Sequence, residues 1–166
     1  MLKRNTIDIH LPTVGGIRWK WNDYPKLILI GCVMEPKKKF IPVHDLDVYR
    51  LARKLSSQAW LVYDRLTFQQ RKIWGDQMLT AVDSVGANIT EGYARFHFSE
   101  KSRFYYIPRT SLSEGVDHWI ALGLERGMVN LDEFEAFVRL QTDIQVRLNN
   151  LIKSTYTAKN HSKDGG

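Results

Sequence analysis

Trp74-Gly75-Asp76-Gln77-Met78-Leu79-Thr80-Ala81-Val82-Asp83-Ser84-Val85-Gly86-Ala87-Asn88-Ile89-Thr90-Glu91-Gly92 places Trp74, Met78, Ala81, Val85, Asn88 and Gly92 at alternating steps of four and three. Residues spaced this way share one face of an α-helix, and all but Asn88 are apolar or small. The same spacing precedes it in Val48, Ala52, Leu55, Ala59, Val62 and Leu66. It follows in Phe104, Ile107, Ser111, Glu114, His118 and Ala121, and again in Phe134, Phe137, Leu140, Ile144, Leu148 and Leu151. Four such faces joined by short connections can hide only against one another. The fold predicted for residues 44–156 is all-α, an antiparallel up-down four-helix bundle.

Boundary signals agree with that count. Asp45 or His44 opens the first helix, with Asp47 favouring its positive end. Ser99, with Ser102 and Arg103 around it, is the expected cap of the third helix, which Gly127 closes. Asn130 with Glu133 three residues later forms a capping box for the fourth. Beyond residue 43 the one proline is Pro108, inside the third pattern, where it removes a backbone donor and predicts a kink. Residues 157–166 are polar, end in Gly-Gly and read as a flexible tail.

Residues 1–43 lack helical periodicity and form an irregular N-terminal extension. Ile7 to Leu11 alternates, and Gly15-Gly16 permits a hairpin turn. Met34-Glu35-Pro36-Lys37-Lys38-Lys39 is a plausible translation start, and the expectation is that the native chain begins there, with residues 1–33 an upstream extension. Leu29-Ile30-Gly31-Cys32 is a poor lipidation signal, because Asp23, Tyr24, Pro25 and Lys26 interrupt the apolar approach. Cys32 is the only cysteine, which excludes a disulfide framework within one chain and a cysteine-based zinc site. No apolar run nears the roughly 18–20 residues that span a bilayer. The expectation is a cytoplasmic protein without membrane attachment.

Among 166 residues the formal net charge is +6, with a pI near 9.5, which suggests an anionic partner. Residues 111–152 carry three bases against seven acids, so the excess lies elsewhere. One basic group comprises Lys37, Lys38 and Lys39, then Arg50, Arg53 and Lys54 on the first helix, where Arg50 and Lys54 share a face. A second comprises Arg95, Lys101, Arg103 and Arg109, interleaved with Tyr93, Phe96, Phe98, Tyr105 and Tyr106. Cations mixed with aromatic rings suit a phosphate backbone and exposed bases.

Ser84-Val85-Gly86-Ala87-Asn88-Ile89-Thr90-Glu91-Gly92-Tyr93-Ala94-Arg95, Phe104-Tyr105-Tyr106-Ile107-Pro108-Arg109-Thr110-Ser111-Leu112-Ser113-Glu114 and Asp45-Leu46-Asp47-Val48-Tyr49 together resemble the four-helix-bundle proteins encoded in 23S rRNA intervening sequences. The resemblance covers about residues 44–153, and Asn-Ile-x-Glu-Gly is its most specific element. Pro108 and Thr110 depart from it, standing where the family usually has a small residue and glycine. The resemblance implies a homo-oligomer, typically a pentamer. A related branch, the accessory protein of diversity-generating retroelements, implies nucleic acid and a reverse transcriptase as partners.

Asn88, Glu91, Ser111 and Glu114 are polar residues at i, i+3 on two successive helices, and are expected to form a buried layer that fixes helix register. Read instead as a general acid/base pair, the two glutamates lack an accompanying nucleophile or positioned histidine. A di-iron site needs Glu-x-x-His pairs, and Glu114 reaches His118 at i+4, so the metal reading fails on spacing. His118 is expected in or at the edge of the core. No phosphate loop, dinucleotide fingerprint or catalytic triad order occurs. The expectation is a non-enzymatic protein without cofactor that binds RNA or DNA. The alternative is a protein-binding scaffold using exposed aromatics such as Trp60 and Trp119.

Overall fold

The computed structural model describes residues 41–161, with side chains to Ala158. A short 3-10 turn, Val43–Asp45, leads into α1 (Asp47–Asp64). Helix α2 covers 68–94 and α3 covers 98–125. Each is continuous but contains a π-helical stretch, Arg71–Gly75 in α2 and Glu114–Ile120 in α3. Gly75 and Ser113, at the junctions, keep helical φ/ψ of −60°/−43° and −66°/−46°. Helix α4 is Leu131–His161, so it continues beyond residue 156, where the flexible tail was expected to begin. Consecutive helices pack against each other, and α4 closes the bundle against α1. Among the described residues no helix is long and apolar enough to cross a membrane.

The first face is buried from Val48 through Leu66, as its spacing predicts. Trp74, Met78, Ala81, Val85 and Gly92 line the second, joined by Val82 and Ile89. Phe137, Leu140, Ile144 and Leu148 carry the fourth, which Ile152 extends. The third face is shifted by one position as far as Leu112 and by two beyond it. Ile107 is 39% exposed, and Glu114 and His118 lie outside the core. The buried stripe is instead Tyr105, Pro108, Leu112, Val116, Ile120 and Gly123. Pro108 turns its apolar ring inward, and the wider π-helical turn shifts which residues face the core in the next turn. The helix continues through Pro108, and its departure from α-helical geometry falls at Glu114–Ile120.

Two caps match their sequence signals. The Asn130 side chain accepts from the Glu133 N–H at 2.9 Å, while the Glu133 carboxylate accepts from the Asn130 N–H at 3.0 Å. Gly127 closes α3 at φ 69°, a conformation only glycine adopts freely. Two others differ. Leu46 rather than Asp45 or His44 is the N-cap of α1, and His97 rather than Ser99 that of α3, neither with a side-chain cap bond. Asp45 is drawn away by Arg50, whose guanidinium donates to it at 2.7 Å.

Candidate nucleic-acid interface

Helices α2 and α3 are joined by residues 95–97, in which Arg95 is the C-cap of one helix and His97 the N-cap of the next. So tight a hairpin needs close backbone approach, and Gly92 provides it. A Cβ there would lie 2.8 Å from the Tyr105 ring and 3.0 Å from the Phe104 Cβ. Tyr105 is 1% exposed, and burial pushes its phenol up to about 12.

Around this buried ring the cations rest on aromatic faces. The Arg95 guanidinium stands 4.3 Å from the Phe104 ring centre and also pairs with Glu91. Lys101 Nζ is 5.7 Å from the Tyr93 ring centre, and Arg109 is 6.0 Å from that of Tyr106. A ring face attracts a cation and holds its side chain extended without neutralising it. Tyr93 donates its hydroxyl proton to the Ile41 carbonyl, and a hydrogen bond with Tyr156 raises the pKa of Tyr106. Arg103 is exposed, and Phe96, at the tip of the connection, is 89% exposed. The first turn of α3 has no side-chain cap, so its positive helix end adds to the same potential.

The antiparallel topology brings the N-terminal half of α1 to this end of the bundle. Arg53 and Lys54 are exposed there. Arg50 is committed locally, to Asp45 and, through Nε, to the His44 carbonyl at 3.1 Å. Tyr49, Arg53, Ser56, Asp83 and Thr90 line a shallow groove of about 290 Å³ between α1 and α2. Lys37, Lys38 and Lys39 lie outside the described residues, as do the expected start at Met34 and the candidate hairpin. At the other end Glu125, Asp132, Glu133 and Glu135 flank the α3–α4 connection, with Arg126 within it and Arg65 paired to Glu133.

The expected polar layer does not form within the chain. Ser111 is buried, but Glu91 and Glu114 are exposed. Asn88 donates to the Ser84 carbonyl of its own helix at 2.7 Å, Glu91 takes Arg95, and Glu114 faces the Trp119 indole nitrogen at 3.4 Å. Asn88, Glu91 and Glu114 each find a partner within one turn or so, which is cheaper in ordering than a layer across helices. The shifted face of α3 carries Glu114 outward. His118 is likewise exposed, against the edge of the Trp119 ring, and not in or beside the core. Among the described residues no group of three or more His, Cys, Asp or Glu side chains could hold a metal ion.

Three features lay outside the four apolar patterns. Thr67 and Gln70 form a capping box at the start of α2, legible as a Thr-x-x-Gln spacing. Arg65 grips Glu133 with both guanidinium nitrogens and also donates to the Met128 carbonyl at 3.0 Å. No spacing rule links residues so far apart in the chain. The isolation of Phe96 depends on the hairpin around it.

No curated protein matches the chain. A solved structure, of a protein with unknown function from the S23 ribosomal protein family of Bacteroides thetaiotaomicron VPI-5482, is similar with a TM-score of 0.58. It is 20% identical over 64% of this chain and 98% of that one, a likeness of fold. The family model described as 23S rRNA-intervening sequence protein matches residues 44–150, which includes α1, α2, α3 and most of α4. With its four antiparallel helices and its Asn88-Ile89-Thr90-Glu91-Gly92 segment, the chain belongs to the 23S rRNA-intervening sequence protein family.

Proposed function

We propose that this chain is a non-enzymatic, self-assembling accessory protein that binds RNA or DNA through the cations around the α2–α3 connection. One observation carries the reading: Arg95 and Lys101 are held against aromatic rings at one end of the bundle and Arg109 against Tyr106 further along α3, with Arg103 exposed between them. Cations presented in this way meet phosphates, and their rings offer faces to bases. Glu91 and Glu100 leave a modest local excess, so a single subunit binds weakly. Assembly into a homo-oligomer, a pentamer in this reading, repeats the surface and raises affinity by avidity. A reverse transcriptase is the protein partner such an accessory role implies, and the cytoplasm its compartment.

Fluorescence anisotropy with labelled RNA tests it. The double variant Arg103→Glu, Arg109→Glu should bind far more weakly with an unchanged circular dichroism spectrum. Undiminished binding removes these residues from the interface.

A scaffold reading has its own support. Trp60 and Leu61 at the end of α1, and Phe68 and Ile73 at the start of α2, exposed by 51%, 69%, 78% and 61%, flank the α1–α2 connection at the opposite end. An intact oligomer with no affinity for RNA or DNA at low salt favours a protein ligand there.

A further inference from the structure

Phe96 is the most exposed of the large apolar side chains described, at 89%, and it stands at the tip of a three-residue connection. Its ring stands perpendicular to that of His97, with centroids 5.5 Å apart and planes at 88°, and at 89% exposure most of its surface is open to a flat partner. Arg95 precedes it, and Lys101 and Arg103 follow on the first turns of α3. A ring this exposed gains nothing in the core, and cations on either side make a poor setting for an apolar protein contact. They make a good one for a nucleotide, whose phosphates are anionic and whose base is a flat apolar plate.

We infer that Phe96 stacks on an unpaired base, so that this end of the bundle selects single-stranded or looped nucleic acid over duplex. The inference rests on the nucleic-acid reading above and names the strand state it recognises. In a duplex the base faces are already stacked on one another, and a projecting ring meets only edges and backbone. Duplex therefore collects the electrostatic attraction of Lys101 and Arg103, with Arg95 already paired to Glu91, and gains no stack. An unpaired strand collects that attraction and the stack together, and every base has a face to offer, so strand state is read without sequence.

The test compares the full chain with Phe96→Ala and Phe96→Trp, using labelled oligouridylate and a blunt RNA duplex of equal length. Loss of one base–aromatic stack should weaken oligouridylate binding by roughly 5- to 150-fold in Phe96→Ala. Duplex binding should stay unchanged, and Phe96→Trp should keep or improve the single-strand affinity. The salt dependence should keep its slope in both variants, because no charge is removed. Equal loss on both probes, or no loss on either, overturns the stacking role while leaving the phosphate contacts standing. A changed oligomeric state in Phe96→Ala, read by light scattering, makes Phe96 a subunit contact and likewise overturns it. No binding of either probe by the unmodified chain at low salt removes the nucleic-acid reading and this inference with it.

Discussion

The indole N–H of Trp74 donates to the main-chain carbonyl of Trp119 at 2.7 Å, tying the π-helical stretch of α2 to that of α3. Trp74 is completely buried, and its indole nitrogen would be a costly orphan without this acceptor. A carbonyl has two lone pairs, so it can take the indole proton in addition to any bond along its own helix. Gly123 completes the fit, since a Cβ there would overlap the Trp74 ring.

Trp74→Phe should therefore lower stability by about 1–3 kcal/mol, from the lost bond and the smaller ring. Urea unfolding should show a lower midpoint with an unchanged slope. Gly123→Ala should destabilise by a similar amount, about 1–3 kcal/mol, through overpacking.

Acid should loosen the opposite end from the interface. The Arg65 guanidinium, helped by the Asn130 N–H, holds the Glu133 carboxyl below its ordinary range. A carboxyl whose folded pKa is depressed stabilises fully above its unfolded pKa, about 4.3, and loses that contribution as pH falls through the folded value. Because Arg65 is 45% exposed, solvent screening keeps the pair to about 1 kcal/mol at most. Melting temperature should fall below pH 4–5 by less in Glu133→Gln than in the unmodified chain.

Gly92→Ala should impair both stability and binding. The added methyl meets the Tyr105 ring and Phe104, on whose face Arg95 rests. A loss of about 1–3 kcal/mol is expected from a clash in a packed hairpin. Thermal melting reads the first effect, and RNA anisotropy, at a temperature where the variant is folded, reads the second.

Asn88→Ala, by contrast, should change subunit stability by no more than about 0.5 kcal/mol. Its side chain bonds only within α2, and alanine is the better helix former. A large drop in melting temperature would restore the cross-helix register role that the spacing suggested.

The helix count, the first, second and fourth apolar faces, and the Asn130–Glu133 and Gly127 boundaries were legible because each depends on residues within a turn or two. The third face departs from its four-three rhythm because Glu114 and His118 keep the spacing without belonging to the core. Tyr105 and Pro108, which do belong, carry little weight in an apolar pattern. A π-helical stretch then changed the period at Glu114, and no residue type announces such a stretch. Composition located the basic and aromatic residues near the α2–α3 connection. Their pairing did not follow from it: that Arg95 lies on Phe104 and Lys101 on Tyr93 depends on how closely Gly92 lets α3 approach.

The most direct test is the salt dependence of RNA binding by the full chain. Each phosphate neutralised releases counterions, so the logarithm of affinity should fall linearly with the logarithm of salt, by about 0.7 per contact on a single strand. A steep negative slope that becomes shallower in Arg103→Glu, Arg109→Glu is the predicted result. Affinity that is absent at low salt, or indifferent to salt, contradicts it.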